Sequence, residues 1–309
     1  MPDTPVTNFG GNTTFRPAGR YAPRSESELL DILRRHRGRR IRAIGRLHSW
    51  SDVTVCEDVL LDLRHFDSVV VHADYVEVSA GCPIKRIIRE LQRTGHTLPS
   101  LGLIDEQTIA GAAATGTHGS GRHSMSHYVE AVRLACYDPH TGEPTIREIS
   151  SGPELRAARC SLGCLGIVTS VRLLIRPQYQ IEEHFRRYER LELVLEQEVT
   201  YDLQQFFLVP WRWDYFAQHR REVDRPRSRL APLYRLYWGV GMDVGLHILV
   251  RLLARWIPGW CTWVFFRQII PRLVPKGWKI VDRSDRQLIM QHELFRHIEI
   301  EIFVARSRL

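Results

Sequence analysis

The segment TIAGAAATGTHGSG, Thr108 to Gly121, carries four glycines, four alanines and three threonines, with one imidazole, His118, near its end. Side chains this small cannot fill a core by their own volume. Two readings follow. The segment is a tight or closely packed stretch chosen for backbone freedom, or its backbone lies against a large polar ligand. In the second case consecutive N–H groups form an anion-binding nest, and Thr115, Thr117 and Ser120 add hydroxyl donors. The stretch lacks the Gly-Lys-Ser/Thr ending of a nucleotide P-loop. It also lacks Gly-x-Gly-x-x-Gly between a strand and a helix, so neither of those phosphate-binding motifs applies.

At 309 residues the chain is long enough for about two domains. Its 43 basic and 35 acidic side chains give a net charge of +8. That balance favours an anionic partner: an acidic cofactor, an anionic membrane surface or nucleic acid. The densest basic run, RRHRGRR (Arg34 to Arg40), reads as a solvated helix end placed well for the helix dipole. No nucleic-acid motif accompanies it, so no nucleic acid is expected. The six cysteines, Cys56, Cys82, Cys136, Cys160, Cys164 and Cys261, sit mostly in apolar stretches. No Cys-x-x-Cys and no Cys–His spacing resembles a zinc site, so no metal is expected. The start, MPDTPVTNFGGN, has no charged region leading into an apolar run. Free, buried thiols in a reducing cytoplasm are the expectation.

Ser25 and Glu28 make a capping box for an amphipathic helix ended by Gly38. IRAIG is a short strand running into the turn RLHSWSD, and VLLDL is a buried strand. VVVHADYVEVSAG gives two short strands around His72–Asp74. PIKRIIRELQRTG is a helix opened by Pro83 and stopped by Gly95. Beyond the small-residue segment come strands at Ala131–Asp138 and Thr145–Ile149, a short helix, a glycine-interrupted turn, and a long strand, Ile167–Ile175. Pro177 marks a domain boundary. Strands with interspersed helices and no regular alternation indicate α+β. The second part opens with a strand and the acidic helix LELVLEQEV, then an aromatic strand-like run. Leu230 to Val274 is rich in Leu, Ile and Trp and interrupted by Arg251, Arg255, Arg267 and Arg272. No uncharged stretch reaches the roughly 18–20 residues of a membrane span. A helical pair buried in the fold is the expectation, and a patch lying on a membrane is the alternative.

Three features now stand in order: GRLHSWSD, the small-residue segment, and SLGCLGIVTSV. Together they resemble the flavin-linked oxidases of the vanillyl-alcohol oxidase type, in the branch of the gulonolactone, arabinonolactone and alditol oxidases. RAIGRLHSWSD looks like that family's strand followed by Gly-x-x-His-Ser. LPSLGLIDEQTIAGAAATGTHGSG matches its second motif almost throughout, and SLGCLGIVTSVRL matches its third. The resemblance runs from about Asn8 to the last residue, strong to about Ile175 and loose afterwards.

The resemblance implies an α+β chain: a PCMH-type, two-subdomain FAD-binding domain over residues 1–177, then an incomplete α+β cap (substrate) domain over 178–309. It implies FAD in a groove between the two subdomains. The contacts would be Ala43, Ile44, Gly45, Arg46, Leu47, His48, Ser49, Leu103, Thr108, Gly111, Thr115, Gly116, Thr117, His118 and the backbone of Ile167. The small-residue segment would give backbone N–H bonds to the pyrophosphate. Some relatives have a hydroxyl residue where this chain has Leu103. In relatives with histidine at the position of His48, the imidazole is bonded covalently to the flavin 8α carbon. That bond needs a neutral imidazole, and an unperturbed histidine, with a pKa of about 6.5, is largely neutral at cytoplasmic pH. From the residues alone His48 is equally a turn histidine that only hydrogen-bonds. His118 is expected to order its loop or touch the cofactor.

The implied reaction is oxidation of an alcohol carbon of a sugar lactone or polyol by hydride transfer to flavin N5. Oxygen, a quinone or a cytochrome then takes the electrons. Relatives continue well past the point matching Leu309, and their substrate-contacting Glu-x-Arg pair and Lys would lie beyond it. No catalytic residue is assigned on that basis. Glu299 and Glu301 are the nearest carboxylates, expected at alternate positions on one face of an edge strand. Two function classes stand: an FAD-linked oxidoreductase, active alone or completed by a second chain, and a truncated FAD-binding protein without a complete substrate site. A cytoplasmic location is expected, with peripheral membrane contact as the variant.

Overall fold

A computed structural model describes residues 4–308 apart from 121–122, 210, 246, 250, 253–257, 274–276, 291–297, 299–300 and 303. The two helices written most plainly in the sequence form where their end signals put them. Helix α1 (Glu26–Arg35) starts at Ser25, whose hydroxyl accepts from the Glu28 N–H at 3.2 Å. The Glu28 carboxylate reaches back to the Arg24 N–H at 2.8 Å, one residue earlier than an ideal capping box. Such a cap stabilises by about 1 kcal/mol. α1 buries Leu29, Ile32 and Leu33. Helix α2 (Ile84–Arg93) buries Ile84, Ile87, Ile88 and Leu91, and Gly95, at φ +75°, turns the chain after it.

Strands β1 (Gly19–Tyr21), β2 (Ile41–Ile44) and β3 (Val59–Asp62) form a parallel sheet with β3 in the centre. All four side chains of β3 are buried, as its continuous apolar run demands. An antiparallel sheet follows from β4 (Val69–Val71), β5 (Tyr75–Ser79), β6 (Val129–Tyr137), β7 (Pro144–Ile149) and β8 (Ile167–Leu174), in the order β7-β6-β8-β5-β4. The apolar side of α1 meets Val59, Leu61, Ala135 and Ile167, so one cluster spans both sheets. Helix α3 (Ile109–Ala114) and helix α4 (Gly152–Arg159) contribute Ile109, Ala112, Ala113, Leu155 and Ala158 to the larger cluster around α2.

The second half is built on an antiparallel sheet of β9 (Gln180–Tyr188), β10 (Leu203–Leu208), β11 (Tyr215–Val223) and β12 (Lys279–Arg283), ordered β10-β11-β9-β12. The acidic stretch forms helix α5 (Leu191–Leu195) and then one 3₁₀ turn. Ile181 and Leu288 join the core of the first half. Polar tethers add to this: Gln92 Nε2 donates to Asp285 at 2.7 Å, and Met290 N–H donates to Leu103 C=O at 2.8 Å.

Two expectations fail. Cys56 and Cys82 are buried, but Cys160 and Cys164 are exposed, because they lie on the loop after α4 and not in a strand. The apolar stretch after Leu230 is helical, through α6 (Ala231–Trp238) and the turns that follow, yet it is not a buried pair. Leu236 is 62% exposed and Trp260 69%. Among the described residues two edges pack: Trp238, Phe266 and Ile270 against Phe185, Val209 and Phe216, and Ala231 and Tyr234 of α6 against Ile280 and Trp278. Among the described residues no helix is long and apolar enough to cross a membrane.

Candidate cofactor groove

The end of β2, the start of α3 and the start of β8 converge on a groove of about 500 Å³. That volume lies within the range of small-molecule and cofactor sites. All the residues expected at the cofactor line it: Ala43, Ile44, Gly45, Arg46, Leu47, His48 and Ser49 from one segment, Leu103, Thr108, Gly111, Thr115, Gly116, Thr117 and His118 from the second, and Ile167 from the third. Trp50, Leu162, Gly163 and Gly166 line it as well. The last three belong to the third motif, where only Ile167 was singled out.

The local backbone explains the residue types. Gly45 lies so close to Thr108 that a Cβ there would stand 2.1 Å from Thr108 Oγ1. Two residues later Leu47 takes φ 58°, a left-handed conformation uncommon for Leu. Its carbonyl accepts from Phe9 N–H at 2.8 Å, which holds the turn. Strain of this kind is retained where the surroundings fix it, and it sits here immediately before His48.

The His48 ring packs on Phe9 at 4.7 Å between centroids. Its Nδ1 is buried with no hydrogen-bond partner among the described residues. Burial pulls the imidazole pKa below its ordinary value and Arg46 adds to that, while Glu106 opposes it. The ring is therefore neutral at neutral pH, with an Nδ1 that no described residue bonds.

The small-residue segment serves packing and groove at once. Residues Ile109 to Ala114 are a helix, with Ala112 and Ala113 buried in the core. The backbone N–H groups of Thr115, Gly116 and Thr117 donate to the carbonyls of Gly111, Ala113 and Ala112, at 3.2, 3.2 and 2.9 Å. The expected run of N–H donors to a pyrophosphate is thus spent within the segment at these three positions. The cause is helical folding, which an Ala-rich sequence favours. The Thr115 hydroxyl likewise donates to Gly111 C=O at 2.9 Å.

His118 Nδ1 lies 3.1 Å from Gly119 C=O, so it orders its own loop. Its Nε2 lies 3.1 Å from a carboxylate oxygen of Glu301. Glu301 was expected on an edge strand. It is instead outside any strand and lines the groove. No local pattern in the sequence announces a pair 183 positions apart. Glu299 lies outside the described residues.

Comparison with known proteins places these features. A family model described as an FAD binding domain matches residues 17–140. A long-chain alcohol oxidase from an uncultured marine euryarchaeote is 55% identical over 307 residues, covering 98% of this chain and 64% of that protein. An L-gulono-1,4-lactone dehydrogenase from Mycobacterium tuberculosis is 30% identical over 215 residues, covering 66% of this chain and 49% of that protein. Among solved structures, a solvent-stable cholesterol oxidase superposes with a TM-score of 0.75 at 15% identity, over 94% of this chain and 63% of the other. At that identity the likeness concerns the fold. The chain spans less than two thirds of the length of each of these proteins.

Proposed function

We propose that the chain is an FAD-linked oxidase of the vanillyl-alcohol oxidase type, the family its three motifs resemble, and that it oxidises an alcohol carbon with FAD as acceptor. The observation that carries this reading is the convergence of three sequence motifs on one groove. When bound, FAD supplies the hydride acceptor, and the protein supplies position and electrostatics. Gly45 and Thr108 set the wall against which the cofactor lies. Arg46 brings positive charge to a groove meant for an anionic pyrophosphate. His48 offers a neutral, unpartnered imidazole nitrogen for a covalent bond to the flavin. His118 and Glu301 close one side of the groove. A domain division near Pro177 is part of this reading, supported by the change from the sheet of β8, which ends at Leu174, to that of β9, which starts at Gln180.

Two substrate classes follow from the relatives. The 55% identity to a long-chain alcohol oxidase favours an aliphatic alcohol over a sugar lactone or polyol. Oxygen or another acceptor reoxidises the flavin. The test is mass spectrometry on acid-denatured protein freed of loose flavin. An FAD-sized mass gain on the His48 peptide, absent in His48→Ala, is expected. Flavin that washes away removes the covalent link but keeps FAD. Protein without any flavin removes the oxidase reading. Protein with FAD that no alcohol, lactone or polyol reduces is a cofactor-binding chain without a complete substrate site, or one needing a second chain.

The exposed stretch after Leu230 supports contact with an anionic lipid surface. Leu233, Leu236, Val240, Trp260 and Trp263 are exposed, and the stretch carries five arginines against one aspartate. Apolar side chains rimmed by cations suit an interfacial helix. Sedimentation with vesicles containing phosphatidylserine should be reduced by Trp260→Ser with Trp263→Ser and by high salt. Binding that ignores both refutes the contact.

A further inference from the structure

A second cavity, of about 90 Å³, lies in the second half of the chain and shares no lining residue with the cofactor groove. Its walls come from β9, β11, α6 and the segment after β12. Among the described residues the guanidinium groups of Arg220, Arg235 and Arg286 line it, against one carboxylate, Glu183. That carboxylate is already engaged. Glu183 pairs with Arg220 at 2.6 Å, each side chain being 1% exposed, and it accepts the hydroxyl of Tyr234. Arg220 Nη1 donates to Ser120 Oγ at 3.3 Å.

Arg235 and Arg286 are left over. No described carboxylate lies within hydrogen-bond distance of either. Arg286 Nη1 is 4.0 Å from Asp282 Oδ1, an oxygen that Arg227 Nε already holds at 2.9 Å. Burial holds the Arg286 pKa below its ordinary value, and the charges of Arg283, Arg227 and Arg235 add to that against the opposing Asp282. Like charges gathered around one partly closed space repel, and a bound anion removes that cost.

The neutral groups fit an anion that keeps a proton. Gln218 and Gln287 are 2% and 6% exposed, both line the cavity, and the Oε1 of each accepts no hydrogen bond from the described residues. A buried acceptor without a donor is costly, and native structures keep one where a ligand or water supplies the donor. The Gln287 amide can turn about its last bond and present either its oxygen or its NH₂ to the cavity. Gln218 is fixed: its Nε2 donates to Glu183 Oε1 at 3.4 Å, so its oxygen is the end that remains.

We propose that this cavity binds the phosphate group of a phosphate monoester. Its volume equals the liquid share of roughly three water molecules, enough for one phosphate group and too small for a nucleotide. Arg235, Arg286 and the Gln287 NH₂ donate to phosphate oxygens, and the P–OH donates to Gln218 Oε1. A phosphodiester has no such proton and leaves Gln218 unpaired. The rest of the ester leaves past exposed Arg235 at the end of α6, where Trp238 and Gly239 line the cavity and Leu236 and Val240 are exposed. The headgroup of phosphatidic acid and a soluble phosphomonoester share this chemistry. The site requires neither the oxidase reading nor the lipid contact above.

The test is calorimetry with inorganic phosphate on the full chain, with FAD added to fill the groove. At about pH 6 much of the phosphate keeps its proton. Arg235→Met and Gln287→Glu should each weaken binding by about tenfold or more, the worth of one charge-assisted hydrogen bond. Arg229→Met, at an exposed arginine outside the cavity, should leave it unchanged. Arg235 is exposed, so its variant reports on the site even if Gln287→Glu does not fold. A parent chain that binds no phosphate overturns the proposal. So does binding that is equal in Arg235→Met, or that falls as much in Arg229→Met. Vesicles then separate the sources. Sedimentation with phosphatidic acid above phosphatidylserine, lost in Arg235→Met, assigns the lipid headgroup. Arg235-dependent phosphate binding without that preference assigns a soluble phosphomonoester.

Discussion

A single methyl at Gly45 should disturb the groove more than most larger changes elsewhere. The added carbon would stand 2.1 Å from Thr108 Oγ1 and 3.1 and 3.2 Å from Thr108 Cβ and Cγ2. Rotating the Thr108 side chain moves Oγ1 and Cγ2, but Cβ is fixed by the backbone. Relief therefore requires the end of β2 and the start of α3 to separate by several tenths of an ångström. Overpacking of this kind costs about 1–3 kcal/mol. Thr108 is buried, so no solvent lies behind it to yield. We expect Gly45→Ala to lower folding stability by that amount and to weaken FAD binding by about tenfold. Urea unfolding followed by circular dichroism gives the first quantity, and quenching of flavin fluorescence in a His48→Ala background, where binding is reversible, gives the second. Thr108→Ala removes two of the three opposing atoms, so the double variant should recover about half of the Gly45→Ala cost. That recovery corresponds to a coupling energy of roughly 1 kcal/mol. Additive costs in the double variant, or a Gly45→Ala protein indistinguishable from the parent, would refute the close approach on which this reasoning depends.

Two further outcomes can be checked on the same protein. Arg133 holds both carboxylate oxygens of Glu26 at 2.7 and 2.8 Å, and Thr169 donates to one of them at 2.9 Å. The Arg133 bond lowers the Glu26 pKa below the ordinary carboxylate value, against the opposing effect of burial. A folded-state pKa below the unfolded one contributes stability above the unfolded value that is lost as pH falls through the folded one. Glu26→Gln should therefore be less stable than the parent at neutral pH, and the two unfolding midpoints should converge in acid; a constant gap across pH would count against the pairing. For the thiols, maleimide should label Cys160 and Cys164 quickly in the native state, because both are exposed. Cys82 should resist until unfolding, since burial pushes its pKa up to about 11 and little thiolate forms. Fast labelling of Cys82 would contradict the fold around α2.

Much of the first half was legible because its signals are local. The caps of α1, the periodicity of α2 and the turn glycines each act within a few residues, and the structure obeys them. The groove residues were legible through motif resemblance, since a chain that must bring backbone close to a neighbouring segment has few choices at positions such as Gly45. The later features depend on which faces meet. Leu, Ile and Trp in the stretch after Leu230 announce helices but not whether a partner covers them. Glu183 and Arg220 sit in runs, IEEHFRRY and AQHRREV, whose charges read as solvated from sequence alone. Only the register that sets Glu183 opposite Arg220 on the inner face, and Glu182 opposite Arg221 on the other, reveals a buried pair. Glu301 escaped for the same reason: its partner His118 is distant along the chain.

The groove is assembled from segments around Gly45, Thr108 and Ile167, and closed by Glu301 near the end of the described chain. Contacts of such sequence separation carry their loop-closure entropy before any of them is rewarded, which makes them late events in folding. A nascent chain therefore has no complete groove to offer until the residues through Glu301 have been made. From that moment FAD binds only the folded population, and mass action by the cofactor raises the fraction of chains that stay folded. If FAD occupies the groove as proposed, flavin supply would set how much of this protein stays folded.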